Sequence, residues 1–173
     1  MLRRIALILL AMALALSCVA ACAEEFDAFI GVGLDDFTVQ TVDGGTFSLY
    51  GTLEDHELTL INLWATWCPY CLIEFPHLEE AYAQYGDRVG VVALSIESAD
   101  TPEQMREIVD EMGLTFPVAS DTGVGLADML RVQSIPTSVL VDQEGTILYV
   151  LNGAMPSAEA FTEFFDYFLG EGA

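Results

Sequence analysis

The stretch from Leu58 to Tyr85 constrains the fold most. Leu58 to Leu63 is a short, mainly apolar run that leads straight into Trp64-Ala65-Thr66-Trp67 and then Cys68-Pro69-Tyr70-Cys71. Strands that read as continuous apolar runs are buried on both faces, which needs covering layers on either side of a sheet. From Pro69 the period changes: Leu72, Phe75, Leu78 and Tyr82 recur at three or four residues, and Gly86 offers a stop. A buried strand feeding a helix that opens on a cysteine pair excludes an all-β or all-α architecture.

The rest of the chain fits a layered α/β domain. Phe37 to Tyr50 alternates around Asp43-Gly44-Gly45 and is expected to form a β-hairpin. Val89 to Ser95 is a second buried strand. Thr101-Pro102-Glu103-Gln104 predicts a helix start, with Thr101 as N-cap and Gln104 closing a capping box, and that helix ends near Met112-Gly113. A short strand over Phe116 to Ala119 and a short helix over Gly125 to Leu130 follow. Two strands, Thr137 to Val141 and Thr146 to Leu151, are joined through Asp142-Gln143-Glu144-Gly145. Phe161, Phe164, Phe165 and Phe168 form the apolar stripe of a last helix, which reads as core packing. Helix-linked strands ending in a hairpin imply a central mixed sheet with helices on both faces.

The N-terminus has a different character. Arg3 and Arg4 precede an apolar run from Ile5 to Leu16, and small residues close the segment at Ala23. This is the pattern of an export signal or membrane anchor over residues 1–23, followed by an acidic tether over 24–36 and one domain over 37–173. Three endings stay open. Val19-Ala20-Ala21-Cys22 resembles a bacterial lipobox, which would make Cys22 a lipidation site; Ala21-Cys22-Ala23 also suits ordinary cleavage after Ala23; and the apolar stretch is near the lower limit for an uncleaved anchor. The expected location is the outer face of the cytoplasmic membrane or the periplasm, with contact to the membrane only through that N-terminal anchor.

Charge excludes one class of partner. The chain holds 27 acidic residues against five arginines and no lysine, a formal net charge of −22. Such a surface repels nucleic acid and anionic head groups, and it would steer basic protein partners.

A C-x-x-C pair is either half of a zinc site or a redox centre. A second pair is lacking, since Cys18 and Cys22 lie in the export segment, and His56 and His77 do not follow zinc-finger spacing. A purely structural disulfide closing so short a loop would contribute little. Redox chemistry remains, without metal or cofactor. Cys68 is expected at the first helical turn, where free backbone N–H groups and the positive end of the dipole favour a thiolate. Pro69 fills the position where a missing N–H is harmless. Cys68 is therefore read as the exposed nucleophile and Cys71, one turn inward, as the resolving thiol. The acidic surroundings oppose a second anion and point to a reductant.

Trp64-Ala65-Thr66-Trp67-Cys68-Pro69-Tyr70-Cys71, with Glu74-Phe75-Pro76 after it, Asn62 before it and Ile135-Pro136-Thr137 downstream, resembles the TlpA/ResA-like branch of the thioredoxin superfamily. The likeness runs from about Phe37 to the C-terminus. It implies a thioredoxin-like α/β fold with an N-terminal β-hairpin and a helical insert around 101–112. It also implies an extracytoplasmic thiol-disulfide oxidoreductase that reduces client disulfides, for example in cytochrome c maturation, and is recharged by a membrane-bound electron donor. On this resemblance Glu74 serves as proton partner of Cys71. Pro136 is expected to be cis, and Trp67, Pro69, Tyr70, Ile135 and Pro136 are expected to dock substrate. A monomer is expected. Pro69-Tyr70 departs from the usual dipeptide of this branch. A disulfide oxidant of the DsbA type normally carries a longer helical insertion. A metal-delivery module would need a histidine beyond His77, and a peroxiredoxin would lack the C-x-x-C.

Overall fold

A computed structural model of the chain describes residues 26–171. The export segment, including Cys22, lies outside the described residues. Among those described, no helix is long and apolar enough to cross a membrane.

Among the described residues, strands and helices follow one another in the order β1 (Thr38–Gln40), β2 (Thr46–Ser48), α1 (Leu49–Asp55), β3 (Leu58–Trp64), α2 (Pro69–Tyr85), β4 (Val89–Ser95), α3 (Pro102–Met112), β5 (Val118–Ser120), α4 (Leu126–Met129), β6 (Thr137–Asp142), β7 (Ile147–Asn152) and α5 (Ala158–Leu169). The main sheet has the order β5-β4-β3-β6-β7. β3, β4 and β5 run parallel, whereas β6 and β7 are antiparallel to their neighbours. β1 and β2 form a small separate ladder, tied to the main sheet where Val42 N–H donates to Val118 O.

Alternation along β3 sorts its side chains onto two faces. Leu58, Leu60 and Trp64 join Phe75, Leu78, Phe161 and Phe165 in one core layer, under α2 and α5. Ile61 and Leu63 join Leu49, Leu53, Leu126 and Leu130 in the other, over α1 and α4. Asn62 shares the parity of Leu60 and Trp64, so its amide is delivered into the layer that holds α2. That placement creates the polar centre described below.

α3 begins with the expected capping box between Thr101 and Gln104 and ends at Gly113, whose φ of 64° is the left-handed stop. α1 departs from the hairpin expected through Tyr50. Ser48 accepts a hydrogen bond from Gly51 N–H and turns the chain into a helix that buries Leu49 and Leu53. The tether expected over 24–36 is, in its described part, attached to the domain. Gly31 N–H donates to Ile147 O, Ile147 N–H to Val32 O and Leu34 N–H to Gly145 O, and Leu34 is buried. The apolar side chain of Leu34 and the open edge of β7 hold this segment down.

Candidate redox site

Cys68 and Cys71 are joined in a disulfide, with Cα atoms 5.3 Å apart. β3 ends at Trp64, the chain turns with Cys68 N–H donating to Ala65 O, and α2 starts at Pro69. Cys68 is the N-cap: Cys71 N–H donates to Cys68 Sγ at 3.2 Å. A free backbone donor of the first turn therefore points at the sulfur, the arrangement that favours negative charge there. The Ile135–Pro136 peptide bond is cis, and the Ile135 carbonyl oxygen lies 3.7 Å from Cys68 Sγ.

The expected exposure of Cys68 is corrected. Cys68 is 2% exposed and Cys71 fully buried. The helix position was legible, but the cover is tertiary: the Ile135–Pro136 loop lies over the sulfur. The apolar neighbours are the exposed ones, with Trp67 at 64%, Tyr70 at 65% and Ile73 at 60%. Pro69 is exposed as well, Ile135 half-buried and Pro136 buried. The residues named as docking candidates thus flank the disulfide from the turn before α2 and its first residues on one side and the cis-proline loop on the other.

Glu74 is fully buried, not a solvated surface carboxylate. Asn62 Nδ2 donates to its Oε1 at 2.7 Å and Met155 N–H to its Oε2 at 2.6 Å. Asn62 Nδ2 also donates to Ser138 Oγ at 3.0 Å, and Ser138 stands opposite Asn62 in the β3–β6 register. Burial pushes the Glu74 carboxyl up to about 7, against the opposing pull of the Met155 and Asn62 donors. Glu74 lies one turn beyond Cys71, on the same inward face of α2. A carboxyl poised near neutrality can accept or release a proton in this layer.

A second set of carboxylates holds the residues before Cys68. Asp100 accepts from Thr66 N–H at 2.8 Å, Thr66 Oγ1 at 2.6 Å and Ser95 Oγ at 2.5 Å. Glu97 accepts from the Trp67 indole Nε1 at 3.1 Å. Sequence reasoning gave no site role to Ser95, Glu97, Asp100, Ser138 or Met155. The loop 96–100 follows a strand, and nothing in the sequence pairs it with Thr66. Among the described residues no group of three or more histidine, cysteine or carboxylate side chains could hold a metal ion.

The profile of the AhpC/TSA family matches residues 30–150. The chain belongs to this family. Among its relatives, the thioredoxin-like protein YneN of Bacillus subtilis is 35% identical over 125 residues, 72% of each chain. A thiol-disulfide oxidoreductase ResA from Halalkalibacterium halodurans is 31% identical over 120 residues, covering 69% of this chain and 66% of that one. The crystal structure of StoA from Bacillus subtilis superposes with a TM-score of 0.63 at 26% identity, over 76% of this chain and 96% of StoA. The fold is thioredoxin-like, and this member of the AhpC/TSA family is a thiol-disulfide oxidoreductase of the ResA and StoA type, with a C-x-x-C disulfide at its centre. Such enzymes act on disulfide-bearing client proteins.

Proposed function

We propose that the chain works as a reductant of client disulfides outside the cytoplasm, held at the membrane by its N-terminal segment through Cys22 or an uncleaved anchor. Cys68 thiolate attacks one sulfur of the client disulfide, and the other client sulfur leaves as a thiolate. Cys71 then attacks Cys68 Sγ in the mixed disulfide, giving the Cys68–Cys71 disulfide and the client dithiol. Two electrons pass to the client, and a dithiol donor at the membrane restores the pair. Glu74 takes the proton from Cys71 as that thiol becomes the nucleophile.

The observation that carries the reading is the buried Glu74, poised near neutrality beneath the redox pair. The charge setting agrees with it. Of the three arginines in the described residues, Arg88 is bound to Glu57 and Glu171, and Arg106 to the Val42 carbonyl. α2 carries no lysine or arginine. Arg131, the third, is exposed one residue before the groove-lining Val132, and the donor that reaches Cys68 Sγ is Cys71 N–H. A thiolate at Cys68 that leans on the helix end makes the dithiol a better electron donor than one paired with a cation. Docking falls to Trp67, Pro69, Tyr70, Ile135 and Pro136, with Cys68 and Cys71 as the exchanging thiols.

Trapping tests the direction. Cys71→Ser cannot resolve a mixed disulfide, so the variant thiol should accumulate conjugates with an oxidised Cys-x-x-Cys-His peptide, the haem-attachment pattern of c-type cytochromes. The same variant, loaded at Cys68 as a thionitrobenzoate disulfide, should capture the reduced peptide much more slowly than dithiothreitol. Efficient capture of the reduced peptide, with none of the oxidised one, would identify an oxidant instead.

A further inference from the structure

The apolar surface beside the disulfide has a fixed negative charge next to one of its lining residues, Trp67. A groove of about 320 Å³ is lined by Trp67, Ile96, Val132, Gln133, Ser134 and Ile135. It ends at the redox pair, because Ile135 O lies 3.7 Å from Cys68 Sγ. Glu97, the residue after Ile96, turns its carboxylate onto the Trp67 wall. Oε2 accepts from the Trp67 indole at 3.1 Å and Oε1 from Ala99 N–H at 3.1 Å. Two donors fix the direction of this carboxylate, and each oxygen keeps a further lone pair for a ligand. Arg131, exposed at the start of the loop that carries Val132, is the cation closest in sequence to the groove. The donors that hold Glu97 are the Trp67 indole and Ala99 N–H, not Arg131. The apolar lining, the oriented carboxylate and the net charge of −22 together define what fits.

We infer that the groove takes an extended client segment in which the reacting cysteine neighbours one large apolar residue and one arginine or lysine, and that Glu97 selects the cation. The apolar side chain packs on Trp67, Ile96, Val132 and Ile135, and the cation pairs with Glu97 at the Trp67 wall. Glu97 is thus a specificity-determining residue. The inference rests on the disulfide-exchange reading above and adds a substrate class to it.

The test uses the reduced protein and three short peptides, with Leu-Cys-Arg, Leu-Cys-Gln or Leu-Cys-Glu at the centre and the cysteine carrying a thionitrobenzoate disulfide. Release of the yellow thiolate gives the second-order rate for each. Ratios between peptides cancel any general change in reactivity. The arginine peptide should outpace the glutamine peptide by about two- to fivefold at low salt, the size of an exposed ion pair. The advantage should shrink at about 1 M salt, where the screening length falls to about 3 Å. Glu97→Gln keeps an oxygen for the Trp67 indole and removes only the charge; it should bring the ratio close to one, and Glu97→Lys should favour the glutamate peptide. Equal rates for all three peptides with the wild type would overturn the inference while leaving disulfide exchange intact. An arginine preference that survives in Glu97→Gln, or a glutamate preference in the wild type of the kind Arg131 would impose, would overturn it as well. Failure of every peptide to react would instead remove the exchange reading on which it rests.

Discussion

Replacing Glu74 by glutamine should change how stability depends on pH, by an amount the structure sets. Burial raises the Glu74 carboxyl from its ordinary 4.5 to about 7 in the folded protein. The folded state therefore binds the proton more tightly than the unfolded chain does. The stability this contributes is complete below pH 4.5 and is lost as pH rises to about 7, above which the cost is constant. At about 1.4 kcal/mol for each pH unit separating the two values, the loss is on the order of 3 kcal/mol. A glutamine at this position does not titrate and lacks this dependence. It carries a constant penalty instead. Both carboxylate oxygens accept hydrogen bonds, from Asn62 and from Met155 N–H, whereas an amide offers one oxygen and turns its NH₂ on the other donor. One buried bond is lost, at about 1–3 kcal/mol. Urea unfolding of the oxidised wild type and Glu74→Gln between about pH 4 and 8.5 measures the difference directly, because every other carboxylate cancels. The wild type should be the more stable near pH 4, and its advantage should fall by about 3 kcal/mol on the way to about pH 8. A difference constant to within about 0.5 kcal/mol across that range would refute the reasoning. The disulfide should still form in Glu74→Gln, but turnover should slow; unchanged kinetics would refute the proton role.

Two further substitutions test the scaffold. Asp100→Ala strips three donors, Thr66 N–H, Thr66 Oγ1 and Ser95 Oγ, of their common acceptor. It should lower stability by about 2 kcal/mol or more in urea and slow exchange at Cys68, two residues beyond Thr66. A loss below about 0.5 kcal/mol would show that the cage is not structural. Gly90→Ala would place a Cβ 2.4 Å from Thr52 Cγ2 and 3.1 Å from Thr59 Oγ1, where β4 passes α1. Overpacking of this kind should cost about 1–3 kcal/mol and lower the melting temperature, with exchange rates at the distant disulfide unchanged. A neutral effect would mean that α1 shifts freely, contrary to the burial of Leu49 and Leu53.

The elements that build the site were legible where a single local signal sufficed. The helix beginning at Pro69 has its cap, its proline and its apolar period within one window, and β4 is an uninterrupted apolar run from Val89 to Leu94. α1 was not, because Leu49 and Leu53 give only one helical repeat and the alternation of β2 reads on through Tyr50. The same limit applied within the site. The helix supplied the spacing of Cys68, Cys71 and Glu74, but the atoms that define Glu74 come from Ser138 and Met155 as well as Asn62. Ser138 is 76 residues from Asn62, and Met155 is 81 from Glu74. Such partners depend on strand register and on one loop's path, neither of which leaves a local trace. The cover over Cys68 is of the same kind.

The reduction potential of the Cys68–Cys71 pair tests the central claim most directly. Equilibration of the protein with reference dithiol buffers of known potential, read by thiol alkylation, gives the value. A pair whose helix carries no cation, that lies in a strongly acidic molecule and works as a reductant should come to rest near about −300 mV, whereas a value near about −120 mV, that of a strong disulfide oxidant, would contradict the account.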